Sequence, residues 1–238
     1  MDMEIKLFGN NTILITSYNG KIIIDPYFSN KGNPMFKRSK SVCDDYINID
    51  KLDGILLTHS HFDHMDIGFI NKFKDKCPLY APKLSIKAAI LKRNGISVGD
   101  SFKIKDMVIN VVKAIHPAFA VGYIIEVENK TIYISGDTFY GEFMKRIADN
   151  YKIDIAILPV TNYFPPMTMN KVSVLKAIDA LKPEYFIPTH KDLVKRIRHI
   201  DCTVTKDEMS ESLSRIKTKT KLIYLENGEV FTEVIENK

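Results

Sequence analysis

The chain has 238 residues, 45% hydrophobic and 26% charged, an ordinary globular composition with enough length for a sizeable core. Its 34 basic and 29 acidic side chains give a formal net charge of +5. These charges are interspersed rather than clustered, which speaks against a nucleic-acid partner. No run approaches the ~18 apolar residues of a membrane-spanning helix. The start, MDMEIKLFGNN, is not a secretory signal, and three cysteines without a C-x-x-C pair exclude a disulfide framework or zinc knuckle. The expectation is a soluble cytoplasmic protein with a small-molecule partner and no membrane.

In chain order, EIKLFG, NTILITSYNG and KIIIDP read as short strands, with Asn19-Gly20 as a hairpin turn. The segment 29–50 lacks periodicity and reads as a long loop of the kind that is often functional. GILLTH is a buried strand ending at His59, and Ile67, Ile70 and Phe73 recur at helical spacing behind Asp66, a plausible N-cap. PLYAP is a strand. Leu84, Ala88 and Leu91 suggest a helix ended by Asn94-Gly95. A second β-rich block follows, SFKIK, MVINVVKAIH, VGYIIEV and TIYISGD. Then come a helix over 142–150, the strand IDIAILPV, a helix on Val174, Leu175, Ile178 and Leu181, the strand EYFIPTH, a helix on Met209, Leu213 and Ile216, and the strands KLIYLE and EVFTE. Strands, then β/α alternation, occur twice. Each half can supply one sheet with its outer helices, and two sheets face to face is the economical layering. No linker splits the chain, so one domain over 1–238 is expected.

The chemistry concentrates in THSHFDHMD. Half of the six histidines fall there. His59 and His61, two apart in an extended segment, point the same way. Asp63 and His64 follow where the chain turns into a helix, so two donor pairs can aim at two nearby points. Imidazole and carboxylate without sulfur suit zinc, iron, manganese or nickel. His116, Asp137 and His190 each end a β-run, where loops converge on a shared rim. Asp25, after KIII, is placed either to hydrogen-bond a histidine or to cap the next loop.

HSHFDH, then His116, SGDT with Asp137 and PTH with His190, resembles the metallo-β-lactamase superfamily. The resemblance spans nearly the whole chain. The opening FGNNTILITSYNGKIIIDPYFS and the segment ending in PTH are similar to its lactonase-like branch of metal-dependent hydrolases, which includes ascorbate-6-phosphate lactonases. The resemblance implies an αββα sandwich of two facing mixed sheets. It also implies two divalent metal ions, zinc first, with manganese, iron and nickel open. His59, His61 and His116 would hold one, Asp63, His64 and His190 the other, and Asp137 would bridge. Asp63 and Asp137 would serve catalytically by aligning a bridging hydroxide, and the reaction would be hydrolysis of an ester, lactone or related bond. His61 stands where flavin-linked diiron relatives carry glutamate, which favours hydrolysis over redox chemistry. A phosphodiesterase or nuclease on the same metals is the alternative; a non-catalytic metal-binding module and a glyoxalase-type thioesterase rank lower. The family often has Gly-His or Gly-Gln in the first hairpin, whereas this chain has Gly9-Asn10-Asn11. Asn162, Tyr163 and Lys191 are the expected substrate contacts, and Lys195, Arg196 and Arg198 follow in a basic stretch that matches no family motif.

Overall fold

The computed structural model describes residues 3–29, 33–85 and 87–232. Strands β1 (Glu4–Gly9), β2 (Thr12–Thr16) and β3 (Lys21–Ile24) form an antiparallel meander. Thr16 pairs with Lys21 across the Asn19-Gly20 turn. The segment 29–50 carries a short strand, β4 (Phe36–Arg38), and a 3-10 turn (Asp44–Asn48). Then come β5 (Gly54–Leu56), α1 (Ile67–Phe73), β6 (Leu79–Pro82) and β7 (Asn94–Ile96). The Asp66 carboxylate accepts from the Phe69 N–H and caps α1.

The helix expected from Leu84, Ala88 and Leu91 is instead a single 3-10 turn, Lys87–Ile90, and Asn94-Gly95 opens β7 rather than ending a helix. Ala88 is buried, but Leu84 is 63% exposed, so this apolar spacing has no common face to cover.

The second half supplies β8 (Ser101–Ile104), β9 (Met107–Lys113), β10 (Val121–Val127), β11 (Lys130–Ile134), α2 (Phe143–Asn150), β12 (Ile155–Pro159), α3 (Lys171–Leu181) and β13 (Tyr185–Thr189). After it come β14 (Leu193–Lys195), α4 (Lys206–Ser214), β15 (Lys221–Leu222) and β16 (Val230–Thr232). Glu233, also expected in the last strand, lies outside the described residues.

One sheet has the order β16-β1-β2-β3-β5-β6-β7 and the other β15-β13-β12-β11-β10-β9-β8. Each is antiparallel at its meander and parallel along its last three pairings. The faces explain why KIII and IAIL are unbroken apolar runs. Ile22 and Ile24 join the core between the sheets with Ile155 and Ile157, while Ile23 faces α1 and Ala156 and Leu158 face α2 and α3. The layers are therefore αββα, the architecture expected from the resemblance. α3 buries Val174, Ala177, Ile178 and Leu181, spaced i, i+3, i+4, i+7. Each large aliphatic side chain so buried contributes roughly 1.5–3 kcal/mol. An Asn170–Ser173 capping box starts α3, and Lys182 ends it in the left-handed region before Pro183.

A two-stranded ribbon lies apart from both sheets, where β4 pairs antiparallel with β14. Phe36, Tyr163, Leu193 and Cys202 form the cluster packed with it. The basic stretch after His190 fastens this ribbon. Arg196 Nε donates to the carbonyls of Asn33 (2.7 Å) and Phe36 (3.2 Å), and Lys195 Nζ donates to the Phe164 carbonyl. Asn33 Oδ1 in turn accepts from the Met35 and Phe36 N–H groups. The segments 33–38, 161–170 and 191–204 thus form one wall.

Candidate metal centre

Parallel strands of both sheets end at one rim, and the loops beyond those ends carry the polar side chains. β3 leads to Asp25 and β5 to His59. β11 leads to Asp137 and β13 to His190, while His116 follows β9. At the same rim Gly9 (φ 140°) and Asn10 (φ 52°) kink the β1–β2 connection. All seven expected ligands meet there. His59, His61 and His116 place their ligand atoms within 4.8 Å of one another, and so do Asp63, His64 and His190. His61 Nδ1 and His116 Nε2 lie 3.0 Å apart. Asp137 Oδ2 stands 3.4 Å from both His64 Nε2 and His190 Nε2. The His59 and His64 ring centroids, 4.0 Å apart, join the two groups.

Asp25 is 1% exposed and sets the geometry from behind. Its Oδ1 accepts from the Thr58 N–H (2.7 Å). Its Oδ2 accepts from Thr58 Oγ1 (2.6 Å) and His64 Nδ1 (2.8 Å). This contact keeps the proton on Nδ1 and turns Nε2 towards the carboxylates. Thr58 Oγ1 also lies 3.1 Å from His59 Nδ1, which leaves His59 Nε2 buried without a partner.

Electrostatics divides the two groups. Burial pushes His59 well below the ordinary histidine range, His61 below it, and His116 down to about 4. These three imidazoles are neutral at pH 7, with lone pairs free for a cation. In the second group burial works against charge, but Asp137, Asp25 and Asp63 outweigh it and raise His64 well above its usual value. His190 is raised in the same way, against burial, by Asp137 and Asp63. Burial likewise opposes ionisation of Asp137 and Asp63, yet the neighbouring His190 and His64 hold both below the usual carboxylate range. Buried carboxylates this close need positive charge among them, as protons or as metal ions. The orphaned His59 Nε2, the neutral imidazoles and the sulfur-free donor set all fit divalent cations of the zinc or manganese kind.

Sequence reasoning missed several residues. Asn10 Nδ2 donates to Asp63 Oδ2, and Asn11 Nδ2 donates to Asp137 Oδ1, both at 3.3 Å. Asn11 Nδ2 also lies 2.9 Å from His64 Nε2. The departure from Gly-His or Gly-Gln at this hairpin was the available signal. A cavity of about 250 Å³ opens over the ligands. Its remaining walls are Asn33, Pro34, Met35, Phe36, Phe62, Lys87 and Met167.

The three expected substrate contacts are not among those walls. Lys191 is 1% exposed, paired with Asp192 (3.0 Å) and set 4.4 Å over the Tyr224 ring. The turn at His190 (φ 56°) and the pairing of Val204 N–H with the Lys191 carbonyl accompany this inward placement. Asn162 donates its amide to the Thr203 carbonyl. Tyr163 is buried behind Phe36, with ring centroids 5.8 Å apart, and backs the wall rather than lining it. Arg198 is exposed in the left-handed region and does not line the cavity.

Comparison with known proteins agrees with this geometry. A family model described as the beta-lactamase superfamily domain matches residues 21–191. A protein of Pyrobaculum islandicum named as a metal-dependent hydrolase is 31% identical over 90% of this chain and 95% of its own. A solved structure from Parabacteroides distasonis, described as that of a metal-dependent hydrolase, is 27% identical with a TM-score of 0.69, covering 92% of each chain. The metallo hydrolase Igni18 of Ignicoccus hospitalis shares the fold at 21% identity, with a TM-score of 0.79 over 99% of this chain and 100% of its own.

Proposed function

The chain belongs to the metallo-β-lactamase superfamily, and from that premise we propose that it is a dinuclear metal hydrolase cleaving an ester or lactone bond of a small molecule. The observation that carries this reading is the pair of adjoining ligand groups at one rim, His59–His61–His116 and Asp63–His64–His190, with Asp137 against the second. Each group would hold one divalent ion, and Asp137 would touch both. Bound there, such ions lower the pKa of water towards neutrality and polarise a carbonyl oxygen.

The chain's own residues supply the rest. The neighbouring His64 and His190 hold Asp63 below, and Asp137 well below, the usual carboxylate range against burial, which makes them weak bases and good acceptors. Their role is therefore to orient the attacking water through hydrogen bonds to their carboxylate oxygens, rather than to take its proton. Asn10 and Asn11 fix those carboxylates through N–H donors. Asp25 fixes the His64 tautomer. Phe36, Met35, Phe62 and Met167 give the cavity an apolar wall that keeps bulk water from the bond being cleaved. At about 250 Å³ the cavity lies below the ~300 Å³ at which sites for drug-sized ligands begin, which favours a small substrate over a polymer.

The test is a hydrolysis panel of esters, lactones, phosphodiesters and thioesters on zinc- and manganese-reconstituted protein, with Asp137→Ala and His61→Ala as controls. Ester or lactone turnover that needs metal and is lost in both variants is expected. Turnover confined to phosphodiesters would overturn the bond assignment, and turnover in chelator-stripped protein would overturn the metal requirement.

A further inference from the structure

The wall of the cavity has an uneven charge. Apart from five of the ligands, His61, Asp63, His116, Asp137 and His190, its described side chains are apolar or the amide of Asn33, with one cation, Lys87. Lys87 sits on the 3-10 turn Lys87–Ile90 and lines the same cavity as the ribbon residues Met35 and Phe36. Its Nζ lies 3.5 Å from the centroid of the Phe62 ring. Phe62 stands between two of the ligands, His61 and Asp63, so this contact draws the ammonium towards the metal rim. Among the described residues no carboxylate pairs with Lys87. Among the described residues, Lys191 and Arg196 are held internally, Lys191 by Asp192 and Arg196 by two carbonyls.

An unpaired ammonium on an aromatic face, at the edge of an apolar cavity, is suited to receive an anion. Phe62 (46% exposed) and Met35 (43% exposed) offer open apolar surface beside it. These surfaces suit the hydrocarbon part of the same molecule.

We propose that Lys87 receives an anionic group, a carboxylate or a phosphate, on a substrate whose apolar body lies against Phe62, Met35 and Met167. The inference rests on the hydrolase reading above and narrows it: the substrate is a small ester or lactone with an apolar body and one anionic group remote from the scissile bond. Phe62 holds the ammonium when no anion is bound. Specificity at this end comes from charge, and at the other from the shape of the ribbon wall.

Two measurements test this. The first compares kcat/KM on three matched esters, phenyl acetate, 4-acetoxybenzoate and 4-acetoxyphenyl phosphate, in wild type, Lys87→Met and Lys87→Arg. In all three, water adds at the acetyl carbon, the bond from that carbon to the aryloxy oxygen breaks, and acetate and the phenol leave, so only the remote group differs. The preference ratio of an anionic ester over phenyl acetate should fall about tenfold in Lys87→Met, through KM, and return in Lys87→Arg. Whichever anionic ester shows the fall identifies the group as carboxylate or phosphate. A ratio unchanged in Lys87→Met overturns the inference while leaving hydrolysis standing.

The second measurement needs no turnover. Calorimetry on the zinc-loaded protein compares succinate, adipate and terephthalate with butyrate, hexanoate and benzoate. At least one dicarboxylate should bind about tenfold tighter than its partner in wild type and lose that margin in Lys87→Met. If no ester is cleaved but the margin behaves this way, the hydrolase reading falls and the anion site stands. If no margin exists, or it survives in Lys87→Met, the anion site falls.

Discussion

Asp25→Asn isolates the support behind the metal centre without touching a ligand. In the wild type the buried Asp25 carboxylate accepts from the Thr58 N–H, Thr58 Oγ1 and His64 Nδ1 at 2.6–2.8 Å. An amide is nearly isosteric but replaces one acceptor oxygen by an NH2 group. Facing His64, that NH2 drives the imidazole proton from Nδ1 to Nε2, the nitrogen that should face the cation. Turned the other way, it confronts the Thr58 N–H and leaves two donors unpaired. A hydrogen bond to a charged group contributes about 1.5–3 kcal/mol. That corresponds to roughly 10–100-fold in zinc affinity, the range usual for residues that orient a metal ligand. Folding should suffer less, because burial already penalises the charge of Asp25 and raises its pKa, so removing the charge relieves that penalty. The assay is zinc titration in competition with a chromogenic chelator, alongside melting of the metal-free protein. Zinc affinity within about twofold of wild type would refute the argument that Asp25 sets the His64 tautomer.

Three further outcomes follow from particular contacts. In Gly136→Ala a Cβ would meet the Thr58 side chain at 2.6–2.7 Å, at a backbone φ of 57°. The left-handed conformation and the overlap together should cost about 2–5 kcal/mol in a denaturant melt; a loss under about 1 kcal/mol contradicts this packing. His64, raised well above its ordinary value by Asp137, Asp25 and Asp63 against burial, holds a proton at pH 7 in the metal-free protein, and His190 is raised in the same direction. Zinc binding at pH 7 should therefore release at least one proton, and affinity should weaken as pH falls. Calorimetry in buffers of different ionisation enthalpy counts the protons, and zero release refutes the electrostatic division of the site. The Cys77 thiol, pushed up to about 11 by burial and then by Asp53, is roughly 0.1% thiolate at pH 8. Its alkylation by iodoacetamide should be on the order of 100-fold slower in the folded than in the unfolded chain, read by mass spectrometry; equal rates refute it.

Where the sequence carried a period, the fold was legible. The runs KIII and IAIL, bounded by turn signals, became strands buried on both faces. Val174, Ile178 and Leu181 became the inner face of α3. Asn94-Gly95 misled, because the same pair that ends helices also enters a short parallel strand when a neighbour such as β6 offers hydrogen bonds. The ligand residues were legible because His116, Asp137 and His190 each close an apolar run, and parallel strands bring such ends to one rim. The cavity wall was not. It depends on β4 finding β14 across more than 150 residues, a pairing that three-residue strands without alternation do not announce. Lys191 illustrates the limit. As a lysine after a ligand it reads as a substrate contact, yet a neighbouring Asp192 and the Tyr224 ring give it a buried site that no local pattern reveals. Lys87 shows the converse, an unremarked lysine that the fold carries to the cavity edge.

The central claim is that one rim holds two metal ions. Elemental analysis of protein stripped with chelator, reloaded with zinc and desalted measures it directly. Two ions per chain are expected for the wild type, falling to about one in His116→Ala, which damages the His59–His61–His116 group, and to about one in His190→Ala, which damages the other. Wild-type protein that saturates at a single zinc ion would contradict the dinuclear centre.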